Sequence, residues 1–381
     1  MTDALERAMR ETGRLSHPET NRYGDGMGDG EQQLGQEHSR PAIRGPEGLS
    51  RRLNISMRFG LLIATLLGFL VAIWAIGSTG IDNILAVGRR IGPAGFLLYC
   101  LYSLLVFALL GAAWLAAAPG EPVRRLGLFT RARLLREAAA DLLPFSQIGG
   151  LAVSAWLIAG AGVPTPRVYA SLIVDLTTEL ASQLVFTLLG VGLLLSILAA
   201  GPGAPAMRPL ILAGTGMMAA LTMVFLVAQR SALTLAQRIA RHMLPNSLDA
   251  IDGIGIELSR IYAMRRRVAA AFALNLASWI ASALGAWIVL RLMGIELSVW
   301  TILSLESLIF ALRSAAFAIP AGIGVQEAAY ILAGPLLGLP PEAALALALA
   351  KRARDLAIAV PTLAVWQIAE GGKLAVSMRG R

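Results

Sequence analysis

The chain has 381 residues, of which 56% are hydrophobic and only 15% are charged, whereas charged residues make up about 25% of a typical soluble domain. Too little polar surface is available to cover a water-soluble globule, and the single cysteine, Cys100, excludes an internal disulfide framework. The net charge of +9 raises nucleic acid and anionic membrane as partners. The composition predicts an all-α, polytopic integral membrane protein.

The first 50 residues form a hydrophilic segment rich in Gly, Glu, Asp and Arg. Such a segment cannot bury enough apolar area to offset the entropy of ordering, so residues 1–50 are predicted to be a disordered cytoplasmic tail. The apolar run of a secretory signal is absent from it. Residues 1–58 carry nine basic and nine acidic side chains, so the whole charge of +9 arises in residues 59–381.

Beyond the tail, apolar segments follow one another at about the 20 residues needed to cross a bilayer. We predict a transmembrane domain over residues 51–370 and a short basic tail over 371–381. Seven segments are expected to cross fully: 59–77, 93–118, 168–199, 209–228, 268–292, 299–318 and 343–368. Two further runs, 144–162 and 320–338, have about the length of a span but are broken by Pro and Gly.

Two arginine-rich segments, 119–143 and 229–267, hold 12 of the 24 basic residues beyond position 58. The positive-inside rule places both on the cytoplasmic side, as loops. Two full crossings between these segments leave both on the same side of the membrane, whereas three would leave them on opposite sides. Segment 144–162 is therefore predicted to be re-entrant rather than a third crossing. Topology and contact with anionic lipid explain these arginines better than nucleic acid does, and nucleic acid is not a predicted partner.

An internal repeat relates the two broken segments at an offset of 176 residues. The matched pairs are Pro144 with Pro320, Gly162 with Gly338, Pro164 with Pro340, Ala170 with Ala346, and Glu179 with Asp355. Ile148-Gly149 matches Ile323-Gly324 after a slip of one residue. Chance similarity of Pro/Gly-rich apolar sequence is the alternative. Repeated Gly/Pro-interrupted segments are typical of transporter binding sites.

Three polar side chains, Asp175, Glu179 and Gln183, share one face of an apolar helix at spacings of four residues. Ionisable groups inside the membrane are costly, so they face a partner or a wet cavity. Two interpretations stay open: a structural ion pair between helices, and a polar stripe along a substrate route.

The matching helix of the second repeat supplies further charged candidates for the pathway: Lys351, Arg352, Arg354 and Asp355. If the repeats pack face to face, Asp175 and Glu179 should pair with Lys351, Arg352 or Arg354 across the repeat.

The broken segments add further candidates for a substrate pathway, because glycine permits close backbone approach and bare helix ends bind charged headgroups. They are Gln147, Gly149 and Gly150 in the first segment and Gly322, Gly324, Gln326 and Glu327 in the second. The alternative is that these glycines permit tight helix packing. Arg313, seven residues after Glu306, is either a ligand for a phosphate or carboxylate headgroup or part of a structural ion pair.

Three stretches carry a resemblance to a known family: LLPFSQIGG (142–150), ASLIVDLTTELASQLVFTLLG (170–190) and IPAGIGVQEAA (319–329), which leads to LGLP (337–340). They resemble the flippase-like membrane domain of lysylphosphatidylglycerol synthases and its stand-alone relatives, over residues 59–370. The first two look most like the branch associated with hopanoid biosynthesis in bacteria.

The resemblance implies a lipid translocase or lipid-transport factor in the bacterial inner membrane, with the N-terminus cytoplasmic. Hopanoid or another polar-headgroup lipid would be the substrate, and lipid-biosynthetic enzymes would be partners. The soluble aminoacyl-transfer domain of the synthases and recognisable catalytic motifs are missing, so we expect no enzyme activity, no cofactor and no metal. The alternatives are a non-transporting scaffold for lipid-biosynthetic enzymes and a membrane-embedded enzyme acting on isoprenoid lipid.

Overall fold

The computed structural model describes residues 76–142, 147–200, 248–315 and 324–379, with the isolated positions 70, 73, 74, 209, 213 and 216. Within these ranges the chain forms ten α-helices: α1 (Ile81–Gly88), α2 (Gly92–Ala117), α3 (Leu126–Leu142), α4 (Gln147–Gly160), α5 (Thr165–Ala200), α6 (Leu248–Ala263), α7 (Arg265–Leu292), α8 (Val299–Ala315), α9 (Val325–Ala333) and α10 (Pro341–Arg379). The predicted tail 1–50 and nearly all of the predicted spans 59–77 and 209–228 lie outside the described residues.

Three helical segments of the described part are long and apolar enough to cross a membrane: Ile81–Ala117, Thr165–Ile197 and Arg265–Leu292. They coincide with the predicted spans 93–118, 168–199 and 268–292. The first of them contains α2, which has Pro93 in its first turn, where a missing N–H costs nothing. The described residues thus form a helical protein of multi-pass membrane type, and the number of seven spans stays a prediction.

The prediction that residues 119–143 form a loop is wrong, while their cytoplasmic side stays a prediction. Leu126–Leu142 is a helix that packs against α2, α4 and α10, and its Arg133 and Arg136 are buried. Counting arginines cannot separate a solvated loop from a helix whose arginines are neutralised inside the protein. Of the five arginines of this segment, Arg124 and Arg131 are exposed and Arg125 is half-buried.

The two Pro/Gly-broken segments each form a short helix between two longer ones. Helix α4 has 14 residues and packs between α3 and α5. Helix α9 has nine residues, packs between α8 and α10, and leads into a single 3-10 turn at Pro335–Leu337. At about 1.5 Å per residue both are shorter than the roughly 30 Å hydrocarbon layer. Their re-entrant topology stays a prediction that these lengths favour.

Helix contacts repeat when α1–α5 are exchanged with α6–α10. The contact of α5 with α8 matches that of α10 with α3, α5 with α6 matches α10 with α1, and α2 with α3 matches α7 with α8. Helices α2 and α7 exchange with each other and pack together. This pattern is that of two similar five-helix units related by a pseudo-twofold axis, and it extends the sequence repeat upstream of Pro144.

The starts of matching helices follow the same repeat. Helices α3 and α8 begin 173 positions apart, at Leu126 and Val299. Helices α5 and α10 begin 176 positions apart, at Thr165 and Pro341. The offset therefore changes between the start of α3 and Pro144, which already pairs with Pro320 at an offset of 176.

Replacing Gly150 with alanine is expected to push α4 away from α3. The added Cβ would lie 2.5 Å from the backbone oxygen of Arg136, and relieving such an overlap costs about 1–3 kcal/mol. A lower temperature of thermal unfolding of the purified protein would show this cost. Gly160→Ala is the matched control, because a Cβ there has no atom within 4 Å and lies on the same helix. Equal behaviour of the two variants would contradict close packing at Gly150.

Candidate functional site

Five charged side chains of α3 and α5 meet inside the first five-helix unit. We call this group the Asp175 cluster; it consists of Arg133, Arg136, Glu137, Asp175 and Glu179. The side chains of Arg133 and Asp175 are 2% and 0% exposed. Glu137 lies at the edge of the group, with its side chain 32% exposed.

The helical period builds this cluster locally. Arg133, Arg136 and Glu137 lie three and four residues apart on one face of α3, and Asp175 and Glu179 lie four apart on one face of α5. Arg133 Nη1 donates to Glu179 Oε2 at 2.9 Å and its Nη2 contacts Glu179 Oε1. Arg136 Nη2 donates to Glu179 Oε2 at 2.6 Å. Glu179 is therefore held by both guanidinium groups.

Asp175 is held less tightly than Glu179. Its Oδ2 accepts from Arg133 Nη1 at 3.4 Å and from Arg136 Nη1 at 3.3 Å. Its Oδ1 is buried and has no hydrogen-bond partner among the described residues, and the same holds for Arg133 Nε and for Asn275 Oδ1 on α7. Buried polar atoms are nearly always paired, so three unpaired atoms around one carboxylate are unusual.

A second buried ion pair lies in the other five-helix unit. We call it the Lys351 cluster; it joins Glu306 of α8, Tyr330 of α9 and Lys351 of α10. Lys351 Nζ donates to Glu306 Oε2 at 2.5 Å and to Tyr330 Oη at 3.0 Å, and the Tyr330 hydroxyl donates to Glu306 Oε1. The side chains of Glu306 and Lys351 are 0% and 3% exposed. This cluster is neutral and its carboxylate is fully bonded.

The two clusters occupy equivalent places in the repeat with the charges exchanged. Arg133 and Glu306 are each the eighth residue of α3 and α8, and Asp175 and Lys351 are each the eleventh residue of α5 and α10. In the first unit the base lies on the shorter helix and the acid on the long one, and in the second unit the order is reversed. Each unit therefore ties its shorter helix to its long helix through a buried ion pair.

The expected pairing of Asp175 and Glu179 with basic residues of the second repeat is wrong. Arg133 and Arg136 of their own unit bind both acids. Arg352 Nε donates instead to Glu327 at 3.3 Å, and Arg354 contacts its neighbour Asp355. The pairing is local to each unit because α3 and α8 already bring a complementary charge to the long helix.

Other predicted site residues take varied positions. The Nε2 of Gln183 points to the backbone oxygen of Phe310 at 3.5 Å. Gly324 immediately precedes α9 and has a φ of 81°. Its N–H donates to Glu327 Oε2 at 2.8 Å, so the Glu327 side chain caps the start of α9. Gln326 is buried and its Nε2 has no hydrogen-bond partner in the described part of the chain. Arg313 is half-buried in the last turn of α8.

The first broken segment contributes less to the two clusters. Gly150 packs against the backbone of Arg136, as the alternative of tight helix packing predicts, and Gly149 is exposed. Gln147 begins α4, but its side chain is outside the described residues, as is the whole of Gly322.

Five residues of the clusters and their surroundings escaped sequence reasoning: Arg133, Arg136, Glu137, Tyr330 and Asn275. The spacing of Arg133 and Arg136 at i and i+3, with apolar residues between them, could have indicated a helix with a buried basic face. Tyr330 and Asn275 carry no such signal, since each is a single polar residue in an apolar helix.

Chemically, both clusters are built to neutralise charge inside an apolar environment. The described residues contain no group of three or more His, Cys, Asp and Glu side chains that could hold a metal ion. Guanidinium, carboxylate, ammonium and phenol groups in this arrangement can bind charged groups, exchange ion-pair partners and hold protons.

A helical protein with apolar membrane-length segments, an internal repeat and ion pairs buried between its helices belongs to the class of multi-pass membrane proteins. The chain belongs to the family described as the lysylphosphatidylglycerol synthase TM region, whose model matches residues 59–362. No curated protein and no solved structure matches the chain. The family membership indicates a membrane role related to lipid, in agreement with the resemblance found in the sequence.

Proposed function

We propose that the protein is a lipid translocase or lipid-transport factor of the bacterial inner membrane. The observation that carries this proposal is the pair of buried ion clusters, each joining a shorter helix to a long helix within a pseudo-twofold repeat. Hopanoid or another lipid with a polar headgroup is the proposed substrate, with the N-terminus on the cytoplasmic side.

The energetic cost of burying charged side chains favours a translocase over a scaffold. Buried ionised groups carry a large desolvation penalty that well-packed apolar residues would avoid. A protein that only recruits enzymes through its surface has no use for five charged side chains between α3 and α5. A polar headgroup that crosses hydrocarbon needs bonding partners along the way, because an unpaired polar group there costs several kcal/mol.

The pseudo-twofold repeat supports the same proposal. Transporters of several kinds place their sites at the interface of structural repeats, next to broken helices. Here the broken helix α4 packs against the backbone of Arg136 at Gly150, and the broken helix α9 contributes Tyr330 to the Lys351 cluster.

Reconstitution into liposomes tests the proposal. Wild-type protein is expected to speed the movement of labelled phospholipid or hopanoid between leaflets, measured by a leaflet-resolved quenching assay. Glu179→Gln is expected to slow it about tenfold or more, since it removes charge-assisted bonds of about 1.5–3 kcal/mol to Arg133 and Arg136.

The control for this assay is Glu296→Gln, which removes a carboxylate whose side chain is 85% exposed. It should leave lipid movement at the wild-type rate. An unchanged lipid distribution with wild-type protein, over phospholipids and hopanoids alike, would rule out a translocase and favour a scaffold. A chemically altered lipid would favour the membrane-embedded enzyme.

A further inference from the structure

The Asp175 cluster contains one carboxylate more than its guanidinium groups can neutralise. Three acids, Glu137, Asp175 and Glu179, face two bases, Arg133 and Arg136. Glu137 is partly exposed and can be hydrated, whereas Asp175 is fully buried. An uncompensated charge in a buried apolar site is strongly unfavourable, so a buried group of this kind normally gains a counter-charge or a proton.

Of the two buried acids, Asp175 has the fewer and longer hydrogen bonds, so it is the one that takes the extra positive charge. Both oxygens of Glu179 accept from guanidinium groups, at 2.9 Å and 2.6 Å for Oε2. Asp175 Oδ2 accepts only the longer bonds of 3.4 Å and 3.3 Å. Asp175 Oδ1 accepts none from the described residues. A proton added to this oxygen breaks no existing bond.

A buried amide, Asn275 of α7, lies beside this face of α5. The Thr178 hydroxyl donates to the backbone oxygen of Val174 or Asp175, so its own oxygen is free to accept from Asn275 Nδ2 at 3.2 Å. This contact assigns the orientation of the amide. The oxygen of Asn275 is then, like Asp175 Oδ1, a buried acceptor without a donor in the described chain.

Few described charges lie on the helices packed against α5. Helices α2 and α4 contain no charged residue, and α7 carries arginines only at its ends. On α8, Glu306 is bound to Lys351 and Arg313 lies half-buried in the last turn. On α6, Glu257 lies beside Arg167 and Arg260. Helix α10 packs against α3, and its Asp355 lines a small cavity together with Glu137.

We propose that Asp175 is a proton-binding site. The proton forms an O–H bond at Asp175 Oδ1 and is donated to Asn275 Oδ1, which pairs two orphaned acceptors at once. The cluster then has two positive and two negative groups. Binding and release of this proton would couple lipid movement to a proton gradient; this role rests on the proposed function, but the site itself does not.

Infrared spectroscopy of the full chain in phosphatidylcholine vesicles tests the site directly. A protonated, buried carboxyl group gives a C=O stretching band that a carboxylate lacks. We expect such a band at neutral pH, expect alkaline buffer to remove it, and expect Asp175→Asn to abolish it. Glu296→Gln should leave it unchanged, because that side chain is 85% exposed and lies outside the cluster.

A second variant keeps the test decisive if Asp175→Asn does not fold. Asn275→Ala removes the proposed acceptor, so the band should persist but move to higher frequency as the O–H group loses its hydrogen bond. A wild-type spectrum without the band, or a band that neither variant changes, would overturn the proton site. A band that behaves as expected in protein that moves no lipid would retain the proton site and overturn only the translocase.

Discussion

Replacing Arg133 with methionine should produce one of the two largest losses of stability in this protein. The substitution removes a guanidinium group that is 2% exposed and contacts Glu137, Asp175 and Glu179. The acids would be left with Arg136 alone, and removing one partner of a buried ion pair costs about 3–5 kcal/mol. The temperature of thermal unfolding in detergent should fall by on the order of 10 °C.

Arg131 provides the matched control for this experiment. It lies on the same helix, two residues earlier, but is exposed, so Arg131→Met should change stability by less than about 0.5 kcal/mol. Combining Arg133→Met with Glu179→Gln restores the wild-type net charge of the cluster and should recover part of the loss. Equal losses for the Arg131 and Arg133 variants would show that the buried cluster does not stabilise the fold.

The acidic half of this cluster could be predicted from the sequence, whereas its basic half could not. Asp175 and Glu179 interrupt an apolar helix at a spacing of four residues, which is a local signal. Arg133 and Arg136 lie in a segment whose arginine content satisfies the positive-inside rule equally well as a loop. Deciding between a loop and a buried helix requires knowing that the arginines of α3 meet the acids of α5, which is a tertiary contact.

The repeat shows the same division between local and tertiary information. Its most similar part, around the broken segments, is visible in sequence because Pro and Gly are constrained by backbone geometry. Upstream, α2 and α7 or α3 and α8 share contacts but few residues, since many apolar sequences satisfy the same packing. Exchanged charges at Arg133 and Glu306 hide the correspondence further, because sequence comparison reads a charge reversal as a mismatch.

Exchange of charge between the two units also explains why the expected pairing across the repeat fails. Face-to-face packing of the long helices would have matched acids on α5 with bases on α10. Instead, each long helix finds its counter-charge on the shorter helix of its own unit, at the same helical position. Most of the buried charge of each unit is therefore neutralised by side chains of the same unit. Motion between the units would not have to break these ion pairs.

Replacing Lys351 with methionine is the second substitution for which we expect a large loss. Glu306 would keep only the Tyr330 hydroxyl as a side-chain partner among the described residues, at a position that is 0% exposed. The cost should again be about 3–5 kcal/mol. Adding Glu306→Gln removes the stranded charge, so the double variant should unfold near the wild-type temperature, because buried ion pairs are often replaceable by neutral groups.

The exposed pair Arg291–Glu296, at 3.3 Å, is the control for this double-mutant cycle. Its coupling energy should be below about 1 kcal/mol, as for surface ion pairs in general, whereas the coupling of Lys351 with Glu306 should exceed it clearly. If the double variant is as stable as wild type but moves lipid more slowly, the charges serve transport. If it is stable and fully active, the Lys351 cluster is a structural clamp and the polar route lies in the unit that holds Asp175.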